Sequence, residues 1–106
     1  MDKILSFLGL LAKAGEIVYG EVLLNSIKSK KVYLVISALD TGKSNKKKYQ
    51  DKSKFYEIDF YEYSTKEHLS KAVGKENCSV LGLKSKNGSA KLKALFKEVN
   101  DEKQQL

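Results

Sequence analysis

The run Val32-Tyr33-Leu34-Val35-Ile36 sets the tightest limit on what this chain can fold into. With no polar alternation it predicts a strand covered on both faces, and such a strand belongs inside a sheet with helices on each side. The segment before it has a different period. Val22, Leu23 and Ile27 fall on one side of a helix, and Asn25, Ser26, Lys28 and Ser29 on the other. Gly20 stands where an N-cap is needed, and Glu21 puts a carboxylate in the first turn, where the helix dipole favours it. Residues 15–40 therefore read as a helix start, an amphipathic helix and a central strand.

The flanking segments supply the other elements. Ile4, Phe7, Leu8 and Leu11 form the buried stripe of a first helix over 2–14, with Asp2 as N-cap and Gly15 as stop. Gly9 inside it costs about 0.5–1 kcal/mol relative to alanine, which close packing against a neighbour would offset. A short strand follows at 16–19. After the central strand, residues 40–55 form a turn and a lysine-dense helix capped by Thr41 or Ser44. In 55–63, Tyr56, Ile58 and Phe60 alternate with Glu57 and Asp59, the pattern of a half-exposed strand. Ser64-Thr65-Lys66-Glu67 has capping-box spacing ahead of a helix with Leu69, Ala72 and Val73 as its buried stripe and Gly74 as its stop. A second inner strand covers 78–83, and Asn87 and Gly88 mark a turn. Leu92, Leu95, Phe96 and Val99 define the last helix, followed by a fraying polar tail at 100–106. Helices and strands thus alternate along the whole chain, which predicts a three-layer α/β/α sandwich. At 106 residues and 42% hydrophobic, the chain fits one domain over 1–106.

Charge narrows the partners. Twenty basic residues against 13 acidic give a net charge of +7 and a pI near 9.4, which favours polyanions such as nucleic acid. Every basic residue is lysine, a hydrated point charge that suits phosphate contacts better than bidentate reading of a base edge. The densest cluster is Lys43, Lys46, Lys47, Lys48, Lys52 and Lys54. It is either a solvated helix face or a set of phosphate contacts, each steepening salt dependence by about 0.9.

Catalytic signals are weak. Gly42-Lys43-Ser44 looks like the end of a phosphate-binding P-loop, but the full pattern requires a glycine where Ser37 stands. Glu57, Asp59 and Glu62 lie on an exposed strand with nothing to raise a carboxyl pKa. The single cysteine, Cys78, reads as a buried thiol, and the single histidine, His68, as a helix-surface residue without partners for a metal or base role. Tyr56, Tyr61 and Tyr63 read as core and strand residues, because their acidic neighbours repel phosphate. Residues 4–12 imitate a signal-peptide core, but Asp2 offsets Lys3, and Lys13 occupies the cleavage region. No stretch reaches the roughly 18 apolar residues of a membrane span. The chain reads as a soluble, cytoplasmic binding module that is not an enzyme and uses no cofactor or metal.

Several segments in register resemble a known family. AKAGEIVYGEVLLNSIKSKKVYLVISALDTGKSNKKKYQDKS, then STKEHLSKAVGKENCSVLGL, then KNGSAKLKALF, are similar to the ribosomal-protein family of the archaeal kink-turn-binding L-seven-Ae and eukaryotic L-thirty-e proteins, especially its bacterial YlxQ-type branch. The resemblance spans residues 4–96. It implies an L-thirty-e-like α/β/α sandwich with a mixed four-stranded sheet, and RNA binding without catalysis. It also implies an RNA-facing surface made from the start of the second helix, the loop after the central strand, the start of the fourth helix and the loop before the last strand. On this chain that surface is Gly20, Glu21, Asn25 and Lys28, with Gly42 and Lys46, Lys66, and Lys75, Glu76 and Asn77. One departure stands out. The family's Gly-x-Asn-Glu-x-x-Lys helix start reads sheared guanine-adenine pairs through its asparagine, glutamate and lysine, and Glu21, Val22 and Asn25 replace them here. The implied partner is structured RNA, ribosomal or kink-turn-like, with the ribosome or ribosomal proteins beside it and no membrane. The replaced helix start also fits an alternative, a protein-interaction adaptor that keeps the fold without kink-turn recognition. This surface requires Lys28, Lys46, Lys66 and Lys75 to lie along one face.

Overall fold

A computed structural model describes residues 2–104, and the side chains of residues 2–99. Its elements are α1 (Lys3–Lys13), β1 (Ile17–Tyr19), α2 (Gly20–Lys28), β2 (Leu34–Ser37), α3 (Lys43–Phe55), β3 (Asp59–Glu62), α4 (Lys66–Val73), β4 (Val80–Leu83) and α5 (Lys86–Gln104). The sheet order is β1-β4-β2-β3, with β2 and β3 parallel and β4 antiparallel to both its neighbours. The sheet is therefore mixed and four-stranded, as the resemblance implies. Its inner strands, β2 and β4, are buried at every residue.

Strand alternation sorts the core into two layers. Leu34 and Ile36 of β2 face α1, α4 and α5, where Ile4, Leu8, Leu69, Leu92 and Phe96 pack on them together with Leu81 and Leu83. Val35 and Val80 face α2 and α3, against Leu23, Ile27 and Tyr49. Two of the close approaches depend on a missing side chain. A Cβ on Gly9 of α1 would lie 2.9 Å from the Ala72 carbonyl oxygen, so the packing expected to offset that glycine is present. A Cβ on Gly82 would strike the Leu23 side chain, so α2 can seat on β4 only over a bare backbone.

Several expectations need correction. Val22 is exposed, not part of the buried side of α2, because the layer beneath takes Leu23 and Ile27, which share a face one turn apart. The strand expected over 55–63 shortens to β3. Phe55 ends α3, Tyr56 caps it, and Glu57 has φ +59, which breaks the extended run. The α4 cap is Thr65, whose hydroxyl accepts from the His68 amide at 3.2 Å, so the Ser64-Glu67 box is one residue out of step. Gly74, with φ +70, ends α4 in the left-handed conformation that glycine adopts without a Cβ penalty. Neither Thr41 nor Ser44 caps α3; Gly42 holds that position. Asn87 and Gly88 lie inside α5, not in a turn. The Ser85 hydroxyl accepts from the Gly88 amide at 2.9 Å, and a Cβ at Gly88 would come within 2.9 Å of the end of the Leu11 side chain, so glycine lets α5 approach α1 without displacing it. The tail expected at 100–106 lies outside the residues whose side chains are described, although the α5 backbone continues to Gln104.

Candidate nucleic-acid interface

Topology brings four chain connections to one edge of the sheet. β2 and β3 end there together at Ser37 and Glu62, β4 begins there opposite Ser37, and β1 ends there at Tyr19. The start of α2, the 38–42 loop, the 63–65 turn with the start of α4, and the 74–79 loop therefore converge, although they are far apart in sequence.

Gly20 joins β1 to α2 at φ +56, a turn that only glycine makes cheaply, and its carbonyl accepts a long 3.5 Å bond from the Tyr49 hydroxyl. Burial pushes the Tyr49 phenol pKa up, and the nearby Glu21 carboxylate pushes it further, so the phenol stays protonated and can donate. Glu21 and Asn25 follow one turn apart on the exposed side of α2. Val22 beside them is 59% exposed.

The 38–42 loop is held from several sides. The Ala38 amide donates to the Ser79 carbonyl at 2.7 Å and the Leu39 amide to the Ser64 carbonyl at 2.8 Å. The Thr41 hydroxyl donates to the Ser79 carbonyl and accepts from the Ser37 hydroxyl, both at 3.1 Å, which satisfies two buried hydroxyls. Asp40 accepts from the Lys66 amide at 2.8 Å, placing a carboxylate at the N-terminus of α4. Lys46 reaches back to the Leu39 carbonyl at 3.2 Å and to Glu62 at 2.7 Å. With its backbone pinned at both polar groups, Leu39 presents a side chain that is 59% exposed.

Opposite, the 74–79 loop is fastened to α4, with the Lys75 amide donating to Ser70 and the Cys78 amide to the Ser70 hydroxyl at 2.9 Å. Lys75 lies 4.8 Å above the Tyr19 ring, a cation–π contact that links this loop to the end of β1. Cys78 is buried behind it, and burial pushes its thiol up to about 11 against a smaller opposing effect of Lys75. Lys66, Ser70, Asn77 and Ser79 are among the residues lining a polar cleft of about 540 Å³ between α4 and this loop.

Of the residues expected on the surface, Gly20, Glu21, Gly42, Lys66, Lys75, Glu76 and Asn77 gather at this edge and are exposed, and Asn25 is exposed one turn beyond Glu21 along α2. Lys46 is also there, but its ammonium is spent on Glu62 and the loop carbonyl, so it shapes the edge without offering a free charge. Lys28 is not there. It closes α2, about 12 Å along the helix from Gly20, near the opposite edge where β2 begins. The expected line of four lysines is thus reduced to Lys66 and Lys75 with Lys46 behind them. The exposed side chains of Val22 and Leu39 and the pinning role of Asp40 were missed in the sequence. Only the unpaired apolar residue in SALDTG hinted at Leu39.

The edge is close to charge balance. With the Lys46–Glu62 and Lys71–Glu67 pairs set aside, Glu21, Asp40 and Glu76 stand against Lys66 and Lys75. Its chemistry is therefore mixed hydrogen-bonding groups with two apolar side chains, suited to unstacked bases and bent backbones more than to a run of phosphates. Among the described residues, no group of histidine, cysteine, aspartate and glutamate is arranged to hold a metal ion, and no helix is long and apolar enough to cross a membrane.

Comparison with known proteins gives concordant results. A family model described as ribosomal protein L7Ae/L30e/S12e/Gadd45 matches residues 2–93. RNA-binding protein YlxQ of Enterococcus faecium is 30% identical over 96 residues, covering 90% of this chain and 92% of that protein. A solved structure of a Bacillus halodurans C protein of unknown function superposes with a TM-score of 0.86 at 36% identity, over 90% of this chain and 97% of the other. The Giardia lamblia 15.5kD RNA binding protein shares the fold, with a TM-score of 0.74 at 15% identity over 92% and 85% of the two chains.

Proposed function

Because this chain belongs to the ribosomal protein L7Ae/L30e/S12e/Gadd45 family, we propose that it acts as a single, non-catalytic, cytoplasmic RNA-binding domain. Its target is a structured, kink-turn-like RNA, on the ribosome or in another ribonucleoprotein, docked at the sheet edge. The observation that carries this reading is the convergence of four distant segments on that edge, three of them joined by hydrogen bonds and the fourth placed by the pairing of β1 with β4, with Glu21, Leu39, Lys66 and Asn77 exposed. Lys66 and Lys75 hold phosphates, Glu21 accepts from guanine, and Val22 and Leu39 lie against splayed bases. Glu21 and Val22 do not reproduce the family's asparagine and glutamate, so the target differs in detail from a standard kink-turn.

Titration with a kink-turn RNA, a plain duplex and total ribosomal RNA at several salt concentrations tests this. The bent or ribosomal RNA binds well above the duplex, and the preference persists as salt rises. Equal binding to all three, or to none, contradicts the reading. A second reading, the adaptor, is favoured by a groove of about 680 Å³ between α1 and α4, where Leu10 is 63% exposed. It predicts no RNA preference at any salt.

A further inference from the structure

The excess positive charge is not at the edge. α3 carries six lysines against one acid, Asp51, and thus supplies most of the chain's net charge of +7. Lys43, Lys47, Gln50 and Lys54 recur at i, i+4, i+7 and i+11, which places them in one stripe along the helix, and all four are exposed. The three lysines make no ion pair among the described residues. Asp51, four residues beyond Lys47 and three before Lys54, is not within ion-pair distance of either. Glu62 of the neighbouring strand is already taken by Lys46, and Asp59 by Lys93. Like charges one turn apart at Lys43 and Lys47 weaken the helix, and no acidic side chain among the described residues pairs with them.

The stripe starts at the 38–42 loop, where Lys43 follows Gly42, and runs about 16 Å down the flank of the molecule. At its lower end Phe55 is 77% exposed, its ring touching only the edge of Tyr56 among aromatic neighbours, at 4.9 Å. A row of lysines without ion pairs, with an open aromatic ring about a quarter-turn round the helix from its last member, has the composition of a sequence-tolerant single-strand site, with charges tracking the backbone and a ring for a base.

We propose that the α3 stripe is a track for the single-stranded RNA segment that leaves the structured element bound at the sheet edge, with phosphates on Lys43, Lys47 and Lys54 and a base stacked on Phe55. This rests on the RNA-binding reading of the edge and assigns the two surfaces different work. The edge selects the fold of the RNA, and α3 supplies salt-dependent affinity for the strand beside it.

The test compares a kink-turn RNA with the same RNA carrying a uridine tail of about eight nucleotides on either end, and with free oligouridine. The variants are the triple Lys43→Gln, Lys47→Gln, Lys54→Gln, a control triple Lys84→Gln, Lys86→Gln, Lys97→Gln, and Phe55→Leu. Circular dichroism and thermal unfolding confirm that each is folded. One tailed RNA binds wild-type protein about tenfold or more tighter than the bare RNA. The α3 triple abolishes that gain, leaves the bare RNA within about twofold, and lowers the salt slope on the tailed RNA by about 2, at about 0.7 per single-strand contact. Phe55→Leu removes at least about fivefold of the gain with the salt slope unchanged. A tail that adds nothing while the bare RNA binds overturns the track and leaves the edge. Equal losses from the two triples reduce it to general attraction and also overturn it. Oligouridine bound without any binding of the bare kink-turn RNA supports the track and overturns the edge, and binding of neither overturns both.

Discussion

Lys46 and Lys47 are neighbours in the chain and opposites in the structure. Lys46 is 23% exposed, bonded to the Leu39 carbonyl and paired with Glu62, so its charge serves the geometry of the sheet edge. Lys47, a third of a helical turn further round, is exposed and unpaired, so its charge is available to a partner. The same contrast separates the two regions they belong to. The edge is built from tertiary hydrogen bonds and is almost neutral, whereas α3 buries only Tyr49 and Ser53 and carries Lys43, Lys47 and Lys54, which make no ion pair among the described residues. A basic pI therefore favours a polyanionic partner without saying where its shape is read.

Adjacent residues on α2 offer the sharpest separation of scaffold from surface. Leu23 is fully buried, and Leu23→Ala is expected to cost about 2–5 kcal/mol in denaturant unfolding, loosening edge and flank together. Val22→Ala should stay within about 0.5 kcal/mol of wild type while weakening structured RNA binding.

Cys78 probes the support behind Lys75. Its thiol pKa is raised from 9.0 to about 11 by burial, so the folded state favours the protonated thiol. That contribution is complete below pH 9 and is lost as pH rises through 9 towards 11, where the loss reaches about 2 kcal/mol. Cys78→Ala removes this part of the alkaline destabilisation, visible as a flatter dependence of unfolding free energy on pH.

Lys46→Gln should cost about 1 kcal/mol, because a half-exposed pair and one hydrogen bond are lost. It lowers affinity for structured RNA without flattening the salt dependence. Lys47→Gln does the reverse. It stabilises α3 by a few tenths of a kcal/mol as repulsion from Lys43 disappears, and it flattens the salt slope on tailed RNA. If both lysines behave alike in the two assays, edge and flank are one surface and the division fails.

Legibility in the sequence followed the range of the forces involved. The central strand, the α1 stripe and the Gly74 stop were readable because each depends on local period or backbone conformation. Val22 was misplaced because two adjacent apolar residues cannot both face one layer, and only the packed sheet decides between them. Gly88 passed for turn punctuation because the Leu11 contact that favours a small residue comes from the other end of the chain. Among the candidate site residues, those at element starts share one edge, since strand direction fixes which connections meet. Lys28 was carried along with its helix but ends up at the helix's other end. That Lys46 is neutralised could not be read at all, because Glu62 reaches it only once β3 pairs with β2.

Amide chemical-shift mapping during titration with a structured, untailed RNA tests the central claim most directly. The account predicts that the largest shifts fall at Gly20, Glu21, Asn25, Leu39, Gly42, Lys66 and residues 75–77, with α3 beyond its first turn little changed. Shifts confined to the outer face of α3, to the α1–α4 groove, or to the opposite edge near Lys28 would contradict it.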